Sequence, residues 1–301
     1  YVKKVNKYCF CQNAEKTEYG VWFRGEARLH KYVIPSLFKD DFDNKYDIVV
    51  AKEKEFINNA LQYSPDIFAD CNNAIERLVT MQHYTLPTRL LDITKNPLVA
   101  LFFACNNYID KEDGFVLYAA PTFYDEATLN IVATLAEDAE CNEVSVETIC
   151  KKLFQKGLIE KDPDIKDVFY NLVVAEIVTK PLAYLPKYNN QRIKNQRGAV
   201  ICAPLFTFKD NEEEQKTALL EHKSMNFYFH KKATDISSFF ENKRFVIAAN
   251  KKSRILQELD VYGINEATVY PEVEHQMQYI KFHCSLKNNE ILKLLDKYSR
   301  L

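Results

Sequence analysis

Apolar residues along the chain fall into short strand-like runs and longer helical stripes. Residues 18–25, EYGVWFRG, form an apolar–aromatic run that ends at Arg24-Gly25 and predicts a strand. From about 52 to 82 the apolar positions recur at three- and four-residue steps, through Phe56, Ala60, Ile67, Cys71, Ile75, Leu78 and Val79. This predicts two helices, the second started by Ser64-Pro65-Asp66 with proline at its first position. Leu98 to Cys105, opened by Asn96-Pro97, is apolar on almost every side and predicts a fully buried helix. Residues 114–121, GFVLYAAP, predict a central strand stopped by Pro121.

Beyond this point the pattern loosens. Residues 125–176 read as helical, broken at Gly157-Leu158 and Asp162-Pro163, and their many acids suggest an insertion or lid. Residues 179–198 read as an irregular basic connection, 199–208 as a strand and NEEEQK (211–216) as a solvated loop. Phe227-Tyr228-Phe229 and 241–250 supply further strand material. Ser253 to Tyr262 predicts a helix with Ser253 in its N-cap region and Gly263 as its stop, and 286–299 a short amphipathic helix. Strands and helices alternate irregularly, which implies a mixed α+β single domain over 1–301, with its core at about 20–285.

Composition narrows the function classes. Of 301 residues, 47% are hydrophobic, enough for a buried core and too many for a disordered chain. Forty Lys+Arg against 42 Asp+Glu give a net charge of -2, which provides no global attraction to nucleic acid or an anionic membrane. Only six glycines occur, and neither GxxxxGK[ST] nor GxGxxG is present, which argues against a glycine-rich phosphate loop. No apolar run reaches 18 residues, so no membrane segment is expected. The chain begins at Tyr1 and shows no readable signal peptide. Eight cysteines without a CxxC pair, Cys105 and Cys202 inside apolar runs among them, read as reduced thiols of a cytoplasmic protein. Cys9-Phe10-Cys11 would turn two thiols the same way only on a strand, and no metal site is expected.

Three polar clusters stand out. Arg24, at a strand end beside Gly25, can grip a phosphate or carboxylate, with glycine letting a ligand approach the backbone; pairing with Glu26 or a core Asp is the alternative. His83, Arg89, Asp92 and Thr94 crowd the approach to the buried helix, where they must line a pocket or bond one another, Arg89 with Asp92 as a buried ion pair. Gln191, Arg192, Asn195, Gln196 and Arg197 lead into the strand at 199 and otherwise read as a solvated basic loop. There is no GxSxG elbow and no HExxH.

At these clusters the chain resembles the FRG domain family. Phe23-Arg24-Gly25 is similar to its aromatic-Arg-Gly motif. Gln82-His83, Pro87-Thr88-Arg89-Leu90-Leu91-Asp92, Thr94, Pro97 and Ala100-Leu101-Phe102-Phe103-Ala104 follow its QHxxxPTRLLDxTxxPxxALFFA signature, with Thr85 where the family usually has glycine. Arg192, Gln196, Gly198, Phe245-Val246-Ile247, Gly263-Ile264 and Pro271 match its later pattern, so the resemblance runs from about 20 to 285. A weaker similarity is to ADP-ribosyltransferases of the Arg-Ser-Glu type. Arg24 stands for their Arg, Asp92-Ile93-Thr94 for their Ser-Thr-Ser strand and LVALFFA for the helix that follows, while Asn195-Gln196-Arg197 holds no glutamate at the third position.

These resemblances imply a central, mainly antiparallel split sheet flanked by helices. They imply a nucleotide-directed enzyme, an NAD-consuming ADP-ribosyltransferase-like toxin or phage-defence protein, with NAD as substrate. Asp92 and Gln196 are the candidate catalytic residues, and Arg24, His83, Arg89, Thr94 and Arg192 the candidate ligand-binding ones. The partner is a small-molecule nucleotide, with a protein or nucleic-acid acceptor unspecified and no membrane. The alternative is a non-catalytic nucleotide- or small-ligand-sensing module using the same pocket. Nucleic-acid binding through the basic 180–197 loop is a third reading, disfavoured by the neutral charge.

Overall fold

A computed structural model describes residues 1–3, 5, 19–28, 32–41, 49–106, 111–138, 143–160, 167–187, 191–221, 223–229, 235–241 and 244–281. The Cys9-Phe10-Cys11 motif and the 286–299 segment lie outside the described residues.

The fold is α+β, built on a seven-stranded sheet. Its strands are β1 (Trp22–Glu26), β2 (Leu90–Thr94), β3 (Gly114–Ala119), β4 (Phe123–Tyr124), β6 (Leu182–Tyr184), β7 (Gly198–Cys202) and β10 (Phe245–Ile247), in the order β10-β3-β1-β2-β7-β6-β4. All neighbours are antiparallel except β4 and β6. A smaller antiparallel sheet joins β5 (Glu143–Ser145), β9 (Asn226–Phe229) and β8 (Phe206–Phe208).

Strand alternation sorts the core. Leu91, Ile93, Ala199 and Ile201 face one layer with Trp22 and Phe38, whereas Leu90, Val200 and Cys202 face the largest cluster. On a third side the all-apolar helix α3 (Pro97–Cys105) lies against β1 and β3 with Phe23, Val116 and Tyr118. Asn96 caps α3 by accepting from Leu98 N–H, with Pro97 in the first turn as expected.

Gly25 has a further purpose beside the one its sequence context suggests. A Cβ there would stand 1.9 Å from the Ala100 carbonyl oxygen and 2.7 Å from Ala104 N. On β3, a Cβ at Gly114 would stand 2.1 Å from the Ala104 carbonyl oxygen. Both glycines let α3 lie directly on the sheet, and Gly25 serves this packing while also lining the cleft beside Arg24.

Several elements differ from the sequence reading. Ser64-Pro65 opens only a 3-10 turn, Pro65–Phe68, after α1 (Val49–Tyr63). The next helix, α2 (Ala74–His83), is capped by Asn73, whose side chain accepts from Glu76 N–H. The 125–176 stretch is not set apart: α4 (Glu126–Glu137), α5 (Val146–Gln155) and α6 (Val168–Thr179) supply Leu129, Val132, Ile149, Leu153, Val174 and Val178 to the largest core. The 179–198 connection contains β6 and α7 (Gln191–Gln196). Strand 199–208 is two strands in different sheets, parted at Pro204.

NEEEQK is not a loop but the start of α8 (Glu212–Leu220), capped by Asn211 with three glutamates in the first turn, where the helix dipole favours them. Helix α9 (Lys252–Val261) begins one residue before Ser253, and Gly263 ends it at φ +71°. Among the described residues, no helix is long and apolar enough to cross a membrane.

Candidate functional site

The split in the sheet lies between β1 and β2. β1 keeps five register pairs with β3, from Trp22–Ala119 to Glu26–Phe115, but one with β2, Phe23–Thr94. Beyond that pair the two strands part, and Arg24 bridges the opening. Its Nη1 donates to the Asp92 carbonyl oxygen at 2.7 Å, and its Nε donates to Glu26 Oε1 at 2.6 Å. The guanidinium thus replaces a missing rung of the ladder and satisfies a backbone acceptor that would otherwise be stranded.

A cavity of about 160 Å³ opens beside this bridge. Arg24, Asp92, Thr94, Arg192 and Gln196 line it, as do the aromatic rings of Phe23, Phe103 and Tyr270. Five of the seven sequence-derived site residues therefore meet in one cleft, from β1, β2 and α7.

Each has a distinct state. Asp92 holds one carboxylate oxygen, Oδ2, against Gln82 Nε2 at 3.2 Å. Gln82 is itself fixed by Thr88, whose hydroxyl donates to Gln82 Oε1 at 2.5 Å. Thr94 is committed to the fold: its hydroxyl donates to the Gln196 carbonyl oxygen at 2.5 Å and accepts from Asn96 N–H at 2.9 Å. Gln196 spends Nε2 on the Val269 carbonyl oxygen at 3.2 Å. Arg192 lies over the Tyr270 ring, with its guanidinium carbon 4.8 Å from the centroid, and Nη1 donates to the His83 carbonyl oxygen at 3.1 Å. Burial, opposed by Arg192 and reinforced by Asp92, Glu266 and Glu272, pushes the Tyr270 phenol up to about 12, so it stays protonated.

Two residues fall elsewhere. Arg89 is a correction: at 1% exposure its guanidinium is sealed in the core on Glu53, also 1% exposed, and on the carbonyls of Ala203 and Pro204. Burial alone would lower its pKa, but the Glu53 carboxylate more than offsets this and holds it raised. Arg89 therefore joins α1 to the β7–β8 corner, and its partner is Glu53 rather than Asp92. His83 lies beside the cleft, lining a neighbouring cavity of about 190 Å³, with Nδ1 3.6 Å from Glu272 Oε1. Burial, and then Arg192, lower its pKa, with Glu272 opposing.

Tyr270, Phe103, Gln82 and Glu272 are the site residues that sequence reasoning missed. Gln82 and Phe103 belong to the quoted signature yet carry no chemical mark of their own. Tyr270 and Glu272 flank Pro271, and only the fold returns that stretch to α7, through Asn195 Nδ2 donating to the Thr268 carbonyl oxygen at 2.8 Å. Among the described residues no group of three or more His, Cys, Asp or Glu side chains comes together to hold a metal ion.

No curated protein and no solved structure matches the chain. One family model does, described as the FRG domain, over residues 19–113. The matched stretch carries Arg24, Gln82, His83, Asp92 and Thr94, while Arg192, Gln196 and Tyr270, which complete the cleft, lie beyond it. The half of the cleft built by β1 and β2 and the helix laid over them thus belong to an FRG domain, which this chain carries at residues 19–113.

Proposed function

We propose that the cleft is a nucleotide site, with Arg24 and Arg192 addressing phosphate and Asp92 facing the ribose, in an NAD-consuming protein of ADP-ribosyltransferase-like chemistry. The observation that carries this reading is the meeting of Arg24, Asp92, Arg192 and Gln196 in one cavity, from segments up to 172 positions apart (24 to 196). The chemistry suits the parts. Cleaving the bond between nicotinamide and ribose leaves an oxocarbenium-like centre that a carboxylate stabilises, and Asp92 is the carboxylate lining the cleft. Its Gln82 tether keeps the group oriented. Gln196 borders the reacting ribose as a polar neighbour.

One observation favours the second reading, a ligand-sensing module. At about 160 Å³ the cavity suits a ribose-phosphate or a base, being smaller than the ~300–1,000 Å³ usual for ligand pockets. The two readings part in one experiment. Purified protein is incubated with NAD, and nicotinamide release is followed beside Arg24→Ala. Release that vanishes in the variant supports the NAD-cleaving reading. Absence of release, with thermal stabilisation by ADP or NAD that the variant loses, supports the sensor. Neither release nor stabilisation overturns both.

A further inference from the structure

Glu272 is held in an unusual way. Both of its carboxylate oxygens are shut off from solvent without a hydrogen-bond partner, and so is His83 Nδ1. Oε1 stands 3.6 Å from His83 Nδ1 and 3.7 Å from Arg192 Nη1, just too far to bond either. A carboxylate stripped of water and given only loose ion-pair distances is poorly compensated, because desolvation costs more than such contacts return. The place it fills is better suited to a larger anion. A phosphoryl group carries several oxygens at tetrahedral angles and can reach both donors together, as one carboxylate oxygen here does not.

The segment that carries Glu272 meets the cleft at its first residues, while farther along His275 Nδ1 pairs with Glu266 Oε1 at 2.9 Å and the Tyr279 hydroxyl donates to Asp260 Oδ1 at 2.8 Å. Gln196 Nε2 and Asn195 Nδ2 hold the carbonyls of Val269 and Thr268, and Tyr270 lies between Arg192 and the His275 ring, which stacks on it at 4.3 Å. Residues 270–281, helical from Val273 onward, thus form a strap whose aromatic member lines the cavity and whose carboxylate sits on the cavity's cationic rim.

We infer that Arg192 and His83 form an anion subsite at the rim of the cleft, that Glu272 occupies it in the unliganded chain, and that a phosphoryl group of the nucleotide displaces it and loosens the strap. The inference rests on the nucleotide reading for the identity of its ligand, but the subsite can be tested without it. Inorganic pyrophosphate is the probe, titrated by calorimetry into the full chain, Glu272→Gln, Arg192→Ala and the double variant. Removing the internal carboxylate tightens pyrophosphate binding by at least about fivefold, a usual size for coupling between competing groups. Adding Arg192→Ala abolishes the gain.

Hydrogen exchange over 270–281 gives a second readout, in which saturating pyrophosphate speeds exchange in the wild-type strap. Unchanged affinity in Glu272→Gln, a gain that survives loss of Arg192, or a strap that becomes protected each overturns the inference. If ADP and NAD fail to bind while the pyrophosphate results hold, the subsite stands and the nucleotide reading falls. If nucleotides bind through Arg24 while Glu272→Gln changes nothing, the reverse is true.

Discussion

Replacing Gly25 with alanine tests the account of how α3 lies on the sheet. The new Cβ would meet the Ala100 carbonyl oxygen at 1.9 Å, Ala104 N at 2.7 Å and Phe103 Cβ at 2.8 Å. Two of these atoms are helix backbone, so no side chain can rotate away. Restoring ordinary contact near 3.4 Å requires a shift of about 1.5 Å between β1 and α3. Helix α3 carries six buried side chains, Val99, Ala100, Leu101, Phe102, Ala104 and Cys105, and each would lose fit. Overpacking ordinarily costs ~1–3 kcal/mol, and an unyielding backbone obstacle places this case at about 3–5 kcal/mol. At roughly 2 °C per kcal/mol for a chain of this size, Tm should fall by about 6–10 °C. The shift also moves Phe103, so ligand-induced stabilisation should weaken with it. Gly198→Ala is the control, because its nearest neighbour is 3.6 Å away and its φ is not left-handed. Thermal and urea unfolding of both variants decide the matter. A Gly25→Ala Tm within about 2 °C of wild type would refute the packing argument.

Thr85 stands at φ 62° in the turn that ends α2, where Leu86 N–H bonds the Met81 carbonyl at 3.0 Å and Thr85 N–H the Gln82 carbonyl at 3.2 Å. This Schellman arrangement favours glycine, so Thr85→Gly should raise stability by about 1 kcal/mol in urea melts, and a loss would contradict it. Arg89→Ala and Glu53→Ala should each cost about 3–5 kcal/mol by stranding a buried charge, whereas the double replacement by apolar residues of similar volume should recover most of it. His83 has a folded pKa below its ordinary 6.5, so the unfolded chain takes up the proton more readily. Its share of stability is therefore complete above about pH 6.5 and lost as pH falls below it. Tm followed from about pH 7.5 to 5 should fall more steeply in wild type than in His83→Gln, and parallel profiles would remove His83 from the account.

What the sequence revealed was what local pattern encodes. β1, β3, α3 and α9 are legible because apolar period, proline and glycine act within a few residues of where they stand. Arg24, Asp92, Thr94, Arg192 and Gln196 were legible as polar residues beside apolar runs, and they share a cleft. Arg89 carried the same mark, yet its partner Glu53 lies 36 positions earlier on α1, where nothing local distinguishes it from the helix's other acid, Glu55. Helix α8 was hidden because three consecutive glutamates look solvated in composition, whereas the Asn211 cap makes them an ordinary first turn. The acidic tone of 125–176 disguised a stretch whose apolar face builds the main core. Tyr270 and Glu272 reach the site only through tertiary bonds between backbone carbonyls and α7, which leave no trace in side-chain pattern.

The double engagement of Arg24 decides which variant isolates the chemistry of the cleft. Its bond to β2 goes to the Asp92 carbonyl oxygen and not to the carboxylate. Arg24→Ala therefore removes a cation from the cavity and also a strut across the split, so lost activity alone would not separate the two effects. Asp92→Asn separates them. The substitution keeps size and shape, leaves the carbonyl that Arg24 holds, and lets the side-chain oxygen go on accepting from Gln82 Nε2. Only the charge is lost, and any destabilisation should stay within about 1 kcal/mol, or roughly 2 °C in Tm. If the Asp92 carboxylate stabilises an oxocarbenium-like centre, nicotinamide release should fall by a hundredfold or more, on the order of the loss of one well-placed electrostatic group, with NAD binding little changed. A variant that folds like wild type and turns over NAD at an undiminished rate would remove Asp92 from the reaction and leave the cleft as a place of binding.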